Sequence, residues 1–155
     1  MASHARRNEP EPPTYEGDIA AWALSQSEIL ETLRPDGVDW SNIAEELRDL
    51  AAAQFKAYVS ALQLVIEHML KWDMQPERRG NSWAGTIAIQ RDHAQEELQA
   101  NPSFKSRREE ALATAWRRGR SAASSAMDIP MRDMPKECLY GWEDLMNRRI
   151  EWPEQ

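Results

Sequence analysis

The fold is decided by residues 40–72, WSNIAEELRDLAAAQFKAYVSALQLVIEHMLKW. Apolar side chains recur there every three or four residues and no Pro or Gly interrupts them, which predicts one long amphipathic helix that Asp39 can cap. A straight helix of this length would measure about 50 Å, whereas a compact domain of this size is about 40 Å across. Either the protein is elongated or the helix bends; if it bends, the bend is expected within residues 51–56, where the apolar stripe is thinnest.

A further helix is predicted on each side of this one. Before it, residues 19–33 follow helical spacing and are ended by the breaker Pro35-Asp36-Gly37. After it, Ser82 can cap a third helix that runs to about Ala100. The side chains expected on the buried face of this third helix are Trp83, Ile87, Gln90, Ala94 and Leu98.

A fourth helix is predicted after Asn101-Pro102, because Pro suits a helix start and disfavours a helical residue before it. Its small residues would let a neighbouring helix pack closely. The side chains expected on its buried face are Phe104, Ala111, Leu112, Ala115, Trp116, Gly119, Ala122, Ala123 and Ala126. Beyond Asp128 we expect irregular chain with one short helix near residues 142–149. The predicted fold class is therefore all-α: an up-and-down bundle of about four main helices with an irregular C-terminal segment.

Length and composition indicate one soluble domain. With 155 residues the chain can bury a core without disulfides, and its single Cys excludes an internal one. Residues 1–13 are polar and rich in Pro, so we expect a disordered tail before a single domain at 14–150. No apolar run is long enough to span a membrane, and the N-terminus lacks the apolar stretch of a secretion signal. These features predict a cytoplasmic location.

The charge distribution argues against nucleic acid as a partner. The formal net charge is −7, and binding to a polyanion requires clustered cations that release counterions. A basic face remains open in the second half of the chain, where cations outnumber Glu109 and Glu110. Its members are Lys105, Arg107, Arg108, Arg117, Arg118 and Arg120.

The turn between the second and third helices has the densest polar chemistry. Residues 68–91 place two Trp, one His and four cations around Pro76-Glu77-Arg78-Arg79-Gly80-Asn81. The amides that begin the third helix would point into this turn, and a helix N-terminus attracts anions. A small anion could bind here, although the cations could instead pair with protein carboxylates or carbonyls and both Trp could pack as core. The candidate ligand-binding residues are His68, Lys71, Trp72, Arg78, Arg79, Ser82, Trp83 and Arg91.

Other chemistry is sparse. The chain has no Gly-x-Ser-x-Gly elbow, Gly-rich phosphate loop or His-Glu-x-x-His motif, so no catalytic residue is predicted. Glu46 lies about 33 Å from His68 along a straight helix, so the carboxylates Glu45, Glu46 and Asp49 are too far away to share a metal ion with it. His93 with Glu96 and Glu97 could supply only part of a metal site, and residues of a facing helix would have to complete it. We therefore predict no metal and no cofactor.

The missing motifs favour a noncatalytic protein-interaction or regulatory module. Seven Trp are more than one bundle core usually requires, so Trp40, Trp142 or Trp152 could be anchors for a protein partner or for a second copy. The alternative is a small-anion or metabolite-binding protein, possibly an enzyme, that uses the corner formed by His68, Arg79, Trp83 and Arg91.

Residues that carry a family resemblance are spread over most of the chain. They are Tyr15, Asp18, Trp22, residues 42–46, Asp49, Leu50, His68, Lys71, Trp72, Gln75, Pro76, Arg79, Ser82, Trp83, Thr86, Ile87, Arg91, residues 101–103 and parts of 135–145. With them the sequence resembles, over about 15–147, the bacterial family called domain of unknown function twenty-nine. It departs from the family pattern at Leu139 and Gly141, where Pro and Thr are more frequent. The resemblance implies an all-helical fold and supplies no function.

Overall fold

The structure, a computed structural model, describes residues 10–151, and within this range it contains helices and no strand. The five α-helices are α1 (Ile19–Leu33), α2 (Trp40–Met74), α3 (Asn81–Ala100), α4 (Arg108–Met127) and α5 (Trp142–Asn147). The prediction of an all-α bundle with four main helices and an irregular C-terminal segment is confirmed. The first nine residues of the predicted tail lie outside the described range.

Helix α2 is the centre of the fold. Its 35 residues form one uninterrupted α-helix, about 52 Å long, and α1, α3 and α4 each pack mainly against it. The stretch 51–56, where a bend was an alternative, does not interrupt the helix. The small Ala51 is buried there, because it lies in the contact with the neighbouring helices.

The main core lies along the second half of α2, where α3 and α4 cover it. Tyr58 is fully buried and stacks on Phe104 with ring centroids 5.6 Å apart. Full burial of one such apolar side chain contributes about 1.5–3 kcal/mol. The largest fully buried apolar side chains are Tyr58, Phe104, Leu62, Ile66, Met69, Leu70, Ile87, Leu145 and Val65.

A polar joint holds the start of α1 against the end of α3. The buried Asn101 side chain accepts a hydrogen bond from the Ala20 amide (2.9 Å) and donates one to Gln54 Oε1 (3.1 Å). Asp18 caps α1 and also accepts a hydrogen bond from the Ser103 amide (2.6 Å). Because this joint fixes α1 beside the middle of α2, α1 covers the first half of α2 and leaves the second half to α3 and α4.

Two details of the fourth helix differ from the prediction. Pro102 begins a 3₁₀ turn, Pro102–Arg107, and α4 starts only at Arg108. Phe104 is buried as expected, but it reaches the core from this turn. Ala126, in the last turn of α4, is exposed.

Candidate functional site

The loop between α2 and α3 contains a 3₁₀ turn, Pro76–Arg78, and leads into α3 with Gly80 as the N-cap. The sequence predicts Ser82 as this N-cap, which is wrong. The Gly80 carbonyl already accepts a hydrogen bond from the Ala84 amide (3.2 Å), so the helix begins before Ser82. Ser82 is therefore an exposed residue inside the first turn, and its carbonyl accepts a hydrogen bond from Thr86 Oγ1 (2.9 Å).

Arg79 closes the C-terminal end of α2. Its Nε donates a hydrogen bond to the Trp72 carbonyl (2.7 Å), and its guanidinium lies 5.3 Å from the centroid of the Trp72 ring. The last carbonyls of a helix have no partner within the helix, so Arg79 has a structural role here. Arg78, which is exposed, contacts Gln75 Oε1 of the same loop at 3.3 Å.

His68, Lys71 and Trp83 do come together, on the surface between α2 and α3. Lys71 Nζ lies 5.1 Å from the centroid of the Trp83 ring, 3.7 Å from Glu67 and 3.5 Å from His68 Nε2. His68 Nδ1 bonds to the Leu64 carbonyl (2.9 Å). Burial lowers the pKa of His68 below 6.5, the Leu64 hydrogen bond opposes this, and the charge of Lys71 lowers it further. The lowered pKa favours the neutral ring, in which Nδ1 donates to the Leu64 carbonyl and Nε2 can accept from Lys71.

Arg91 points away from the loop and binds the end of α5. Its Nε donates to the Leu145 carbonyl (2.5 Å), Nη1 to the Arg148 carbonyl (2.9 Å) and Nη2 to the Asp144 carbonyl (3.1 Å). These acceptors lie in and just after the last turn of α5, where a helix leaves carbonyls without a partner; the Asp144 carbonyl also accepts from the Arg148 amide (3.2 Å). The eight candidate residues thus divide among separate contacts: one surface cluster, one pair at the end of α2, one clamp on α5, and the exposed Arg78 and Ser82.

The sequence did not indicate a second polar cluster, which joins the C-terminal segment to α2. Asp73 accepts hydrogen bonds from Tyr140 Oη (2.8 Å) and from Arg148 Nη1 (3.0 Å) and Nη2 (2.5 Å). Burial acts to raise the pKa of Asp73, but the hydrogen bonds from Arg148 and Tyr140 and the charges of Arg148 and Arg79 lower it overall. Asp73 is separated from these partners by 67 and 75 residues, and no spacing rule links such distant positions.

This cluster makes stability depend on pH. Because the folded-state pKa of Asp73 lies below its ordinary value of 3.8, its contribution is present above that value and is lost as pH falls through the folded pKa. We expect Asp73→Asn to destabilise the protein at pH 7 by about 1 kcal/mol, a value kept small by solvent screening. The difference from wild type should shrink below pH 4, as measured by urea unfolding at each pH. Asp133→Asn is the control, since Asp133 lies on the surface, 3.9 Å from Arg132; equal losses in both variants would contradict the assignment.

A third feature is the arm formed by α1 and the first half of α2. Its buried positions hold only small side chains, which are Ala20, Ala23, Ser27, Ala44 and Ala51. The large apolar side chains of the arm remain in contact with water: Ile29 is 45% exposed, Leu33 70% and Ile43 43%. Two helices alone therefore leave part of their apolar surface uncovered.

Three exposed apolar side chains, Ile29, Leu33 and Ile43, share one edge of this arm, and Leu24, which is 46% exposed, lies on the other edge. At about 100° per residue, Leu33 lies opposite Leu24 on α1, and Ile43 lies opposite Ala52 on α2. Leu24 and Ala52 line one groove and so mark the other edge. We define the hairpin edge as Trp22, Ile29 and Leu33 of α1 with Ile43, Leu47 and Leu50 of α2. Helical spacing adds Gln26 and Gln54 to it and no charged side chain.

The remaining titratable groups that the sequence singled out do not form a metal centre in the described part of the chain. No group of three or more His, Cys, Asp or Glu within residues 10–151 is placed to hold a metal ion. Glu45, Glu46 and Asp49 are exposed. His93, Glu96 and Glu97 line a groove of about 430 Å³ between α2 and α3, and burial, with the charge of Glu96, raises the pKa of Glu97. Among the described helices, none has the length and apolar character needed to cross a membrane.

One protein family matches the chain. The model of the family described as Domain of unknown function DUF29 covers residues 14–150, which confirms the resemblance found over about 15–147. No curated protein and no solved structure matches.

Proposed function

The chain belongs to the family described as Domain of unknown function DUF29, and we propose that it is a noncatalytic protein-interaction module whose hairpin edge pairs with the hairpin edge of a second copy. One observation carries the proposal: the arm buries only small side chains while Ile29, Leu33 and Ile43 stay 43–70% exposed. Contiguous exposed apolar surface of this kind tends to mark interfaces.

Two such arms can complete each other. A hairpin of two helices leaves apolar side chains uncovered on one side. Two such hairpins that pack face to face form a four-helix bundle, a common and stable arrangement. A twofold axis would place the edge of one copy against the same edge of the other, as in most homodimers. Each large apolar side chain that becomes buried adds about 1.5–3 kcal/mol before the cost of association.

The charges favour a second copy over a basic partner. The hairpin edge as defined contains no charged side chain, and Glu28, which lines one surface pocket with Ile29 and Leu33, borders it. The rest of the arm is acidic: residues 19–54 contain seven Asp or Glu and two Arg. These charges repel at longer range and are screened by salt. The proposed dimer should therefore become tighter as salt is added, whereas a complex with a basic protein would weaken.

The alternative function, anion or metabolite binding at the loop between α2 and α3, has less geometric support. Arg91 is directed to α5, and Arg79 is bonded to the Trp72 carbonyl. Some cations of the basic face that was considered for nucleic-acid binding already bond to other groups of the chain. Arg120 donates to the Met131 carbonyl and Arg107 pairs with Glu110. A cytoplasmic location remains part of our proposal, supported by a single free cysteine, Cys138.

The test is the mass of the protein in solution. We expect wild type to be a dimer by size-exclusion chromatography with light scattering, and Ile43→Glu to weaken dimerisation about 100-fold, since each dimer loses two buried apolar side chains at about 1.5 kcal/mol each. Ile89→Glu is the matched control, because Ile89 is likewise exposed (54%) on a helix but lies on α3.

A second pair of variants tests the other half of the edge. Leu33→Glu should behave as Ile43→Glu does, while Leu139→Glu, at a leucine that is 57% exposed in the C-terminal segment, should leave the dimer intact. A wild-type monomer at every concentration and salt level would refute the proposal. So would a dimer that Ile89→Glu disrupts as strongly as Ile43→Glu.

A further inference from the structure

A groove of about 410 Å³ runs along the opposite edge of the arm, between α1, α2 and the turn Pro102–Arg107. Its walls are mainly apolar. Phe55 and Phe104 meet edge to face there, with ring centroids 5.2 Å apart, and alanines leave the space between the helices open. Residues that line the groove include Leu24, Arg48, Ala52, Phe55, Phe104 and Arg107.

The charged side chains that line this groove are both cations. The guanidinium of Arg107 lies 3.5 Å from the centroid of the Phe55 ring and gives Nε and Nη2 to Glu110 (2.8 and 2.7 Å). Arg48, on the α2 wall, pairs with Glu31 through Nη2. A guanidinium has five N–H donors in a planar fork, so each arginine retains donors for an incoming anion. Among the described residues that line the groove, none is acidic.

We propose that this groove binds a small carboxylate with an apolar body, such as a medium-chain fatty acid. The carboxylate pairs with Arg107 and Arg48, and the hydrocarbon lies on Phe55, Leu24 and Ala52. Pockets of roughly 300–1,000 Å³ that combine apolar walls with a few polar groups are typical of small-molecule sites. An inorganic anion would leave the apolar walls uncovered, and a neutral hydrocarbon would not use the remaining N–H donors of the two arginines.

The site is independent of the proposed dimer, because the groove and the hairpin edge are on opposite sides of the arm. Decanoate can occupy the groove in a monomer or a dimer. Loss of one property therefore leaves the other measurable, and Ile43→Glu should still bind decanoate.

The experiment is titration calorimetry of the full chain with sodium decanoate below its micelle concentration. We expect one molecule to bind per chain, decanol to bind more weakly and inorganic phosphate to show no binding. Ala52→Phe fills the groove and should abolish binding, whereas Ala53→Phe, at the neighbouring exposed position outside the groove, should bind as wild type does.

A second pair of variants tests the charge. Arg107→Gln should weaken decanoate binding about tenfold, the equivalent of one charge-assisted hydrogen bond, while Arg117→Gln, at an exposed arginine of α4 outside the groove, should have no effect. Circular dichroism confirms that each variant is folded. The proposal is overturned if wild type shows no saturable binding, if Ala52→Phe binds like Ala53→Phe, or if decanol binds as tightly as decanoate.

Discussion

Gly119→Leu is expected to lower the free energy of unfolding by about 3 kcal/mol, a large part of the stability of a domain of this size. Gly119 is where α4 approaches α2 most tightly. A Cβ at this position would lie 2.9 Å from the Gln63 carbonyl oxygen and 3.0 Å from Ile66 Cγ2. Because the first of these atoms belongs to the backbone of α2, it cannot move aside cheaply, and the two helices must separate.

Gly119→Ala gives the more diagnostic result. In an open helix, Ala is more favourable than Gly by about 1 kcal/mol, so a helix without this close approach would be stabilised. Here we expect a loss of about 1–2 kcal/mol, because the cost of overpacking exceeds that gain. Urea unfolding measures both variants. In the control Gly141→Ala the new Cβ meets nothing within 4 Å; a stabilised Gly119→Ala would contradict the close packing of α4 on α2.

The helices could be predicted because their signal is local. The stripe along 40–72 fixes α2, and the breaker at 35–37 ends α1, since a helix needs only side chains three or four positions apart to define its buried face. The small residues of α4 likewise indicated a close neighbour, and Gly119 has one. The position of α1 was not predictable, because it depends on Asn101, which meets Ala20 across 81 residues.

The polar contacts were harder to predict because their acceptors are mostly backbone groups. The abundance of cations in residues 68–91 is visible in the sequence, but the atoms they bind are not. Arg91 binds carbonyls 53 to 57 residues away, and every residue has a carbonyl, so the sequence contains no mark of which one is used. Structural pairing was one of the two interpretations that the sequence left open for this corner, and only the three-dimensional fold assigns the partners.

The exposed apolar side chains differ in type from the Trp residues that the sequence favoured as anchors for a partner. Trp40 and Trp142 are only partly exposed and are covered by Arg34 and Arg108, whose guanidinium carbons lie 4.9 and 4.1 Å from the rings. Trp152 lies outside the described residues. Aliphatic side chains of α1 and α2 are exposed instead. A local signal for them did exist: α1 is apolar on more than one face, although one helix neighbour can cover only one of them.

Arg91→Ala is expected to lower the free energy of unfolding by about 2–4 kcal/mol, because it removes the donor that Leu145, Asp144 and Arg148 share. The Leu145 and Arg148 carbonyls would lose the Arg91 donor, the Asp144 carbonyl would keep only the Arg148 amide, and the positive charge that complements the negative end of the helix would be lost. The C-terminal segment should loosen first, because α5 has only six residues and cannot be stable alone. Hydrogen exchange of amides 142–150, together with urea unfolding, measures both effects.

Arg91→Lys separates charge from geometry. A lysine retains the charge but is a compact ammonium group without the planar fork that reaches three carbonyls at once, so we expect it to recover less than half of the loss. Arg78→Ala is the control, because Arg78 is exposed and contacts only Gln75 of its own loop; its stability should be within about 0.5 kcal/mol of wild type. If Arg91→Lys restored full stability, charge alone would explain the clamp. If Arg91→Ala left amides 142–150 protected, the docking of α5 would depend instead on the apolar contacts of the buried Leu145 and Met146.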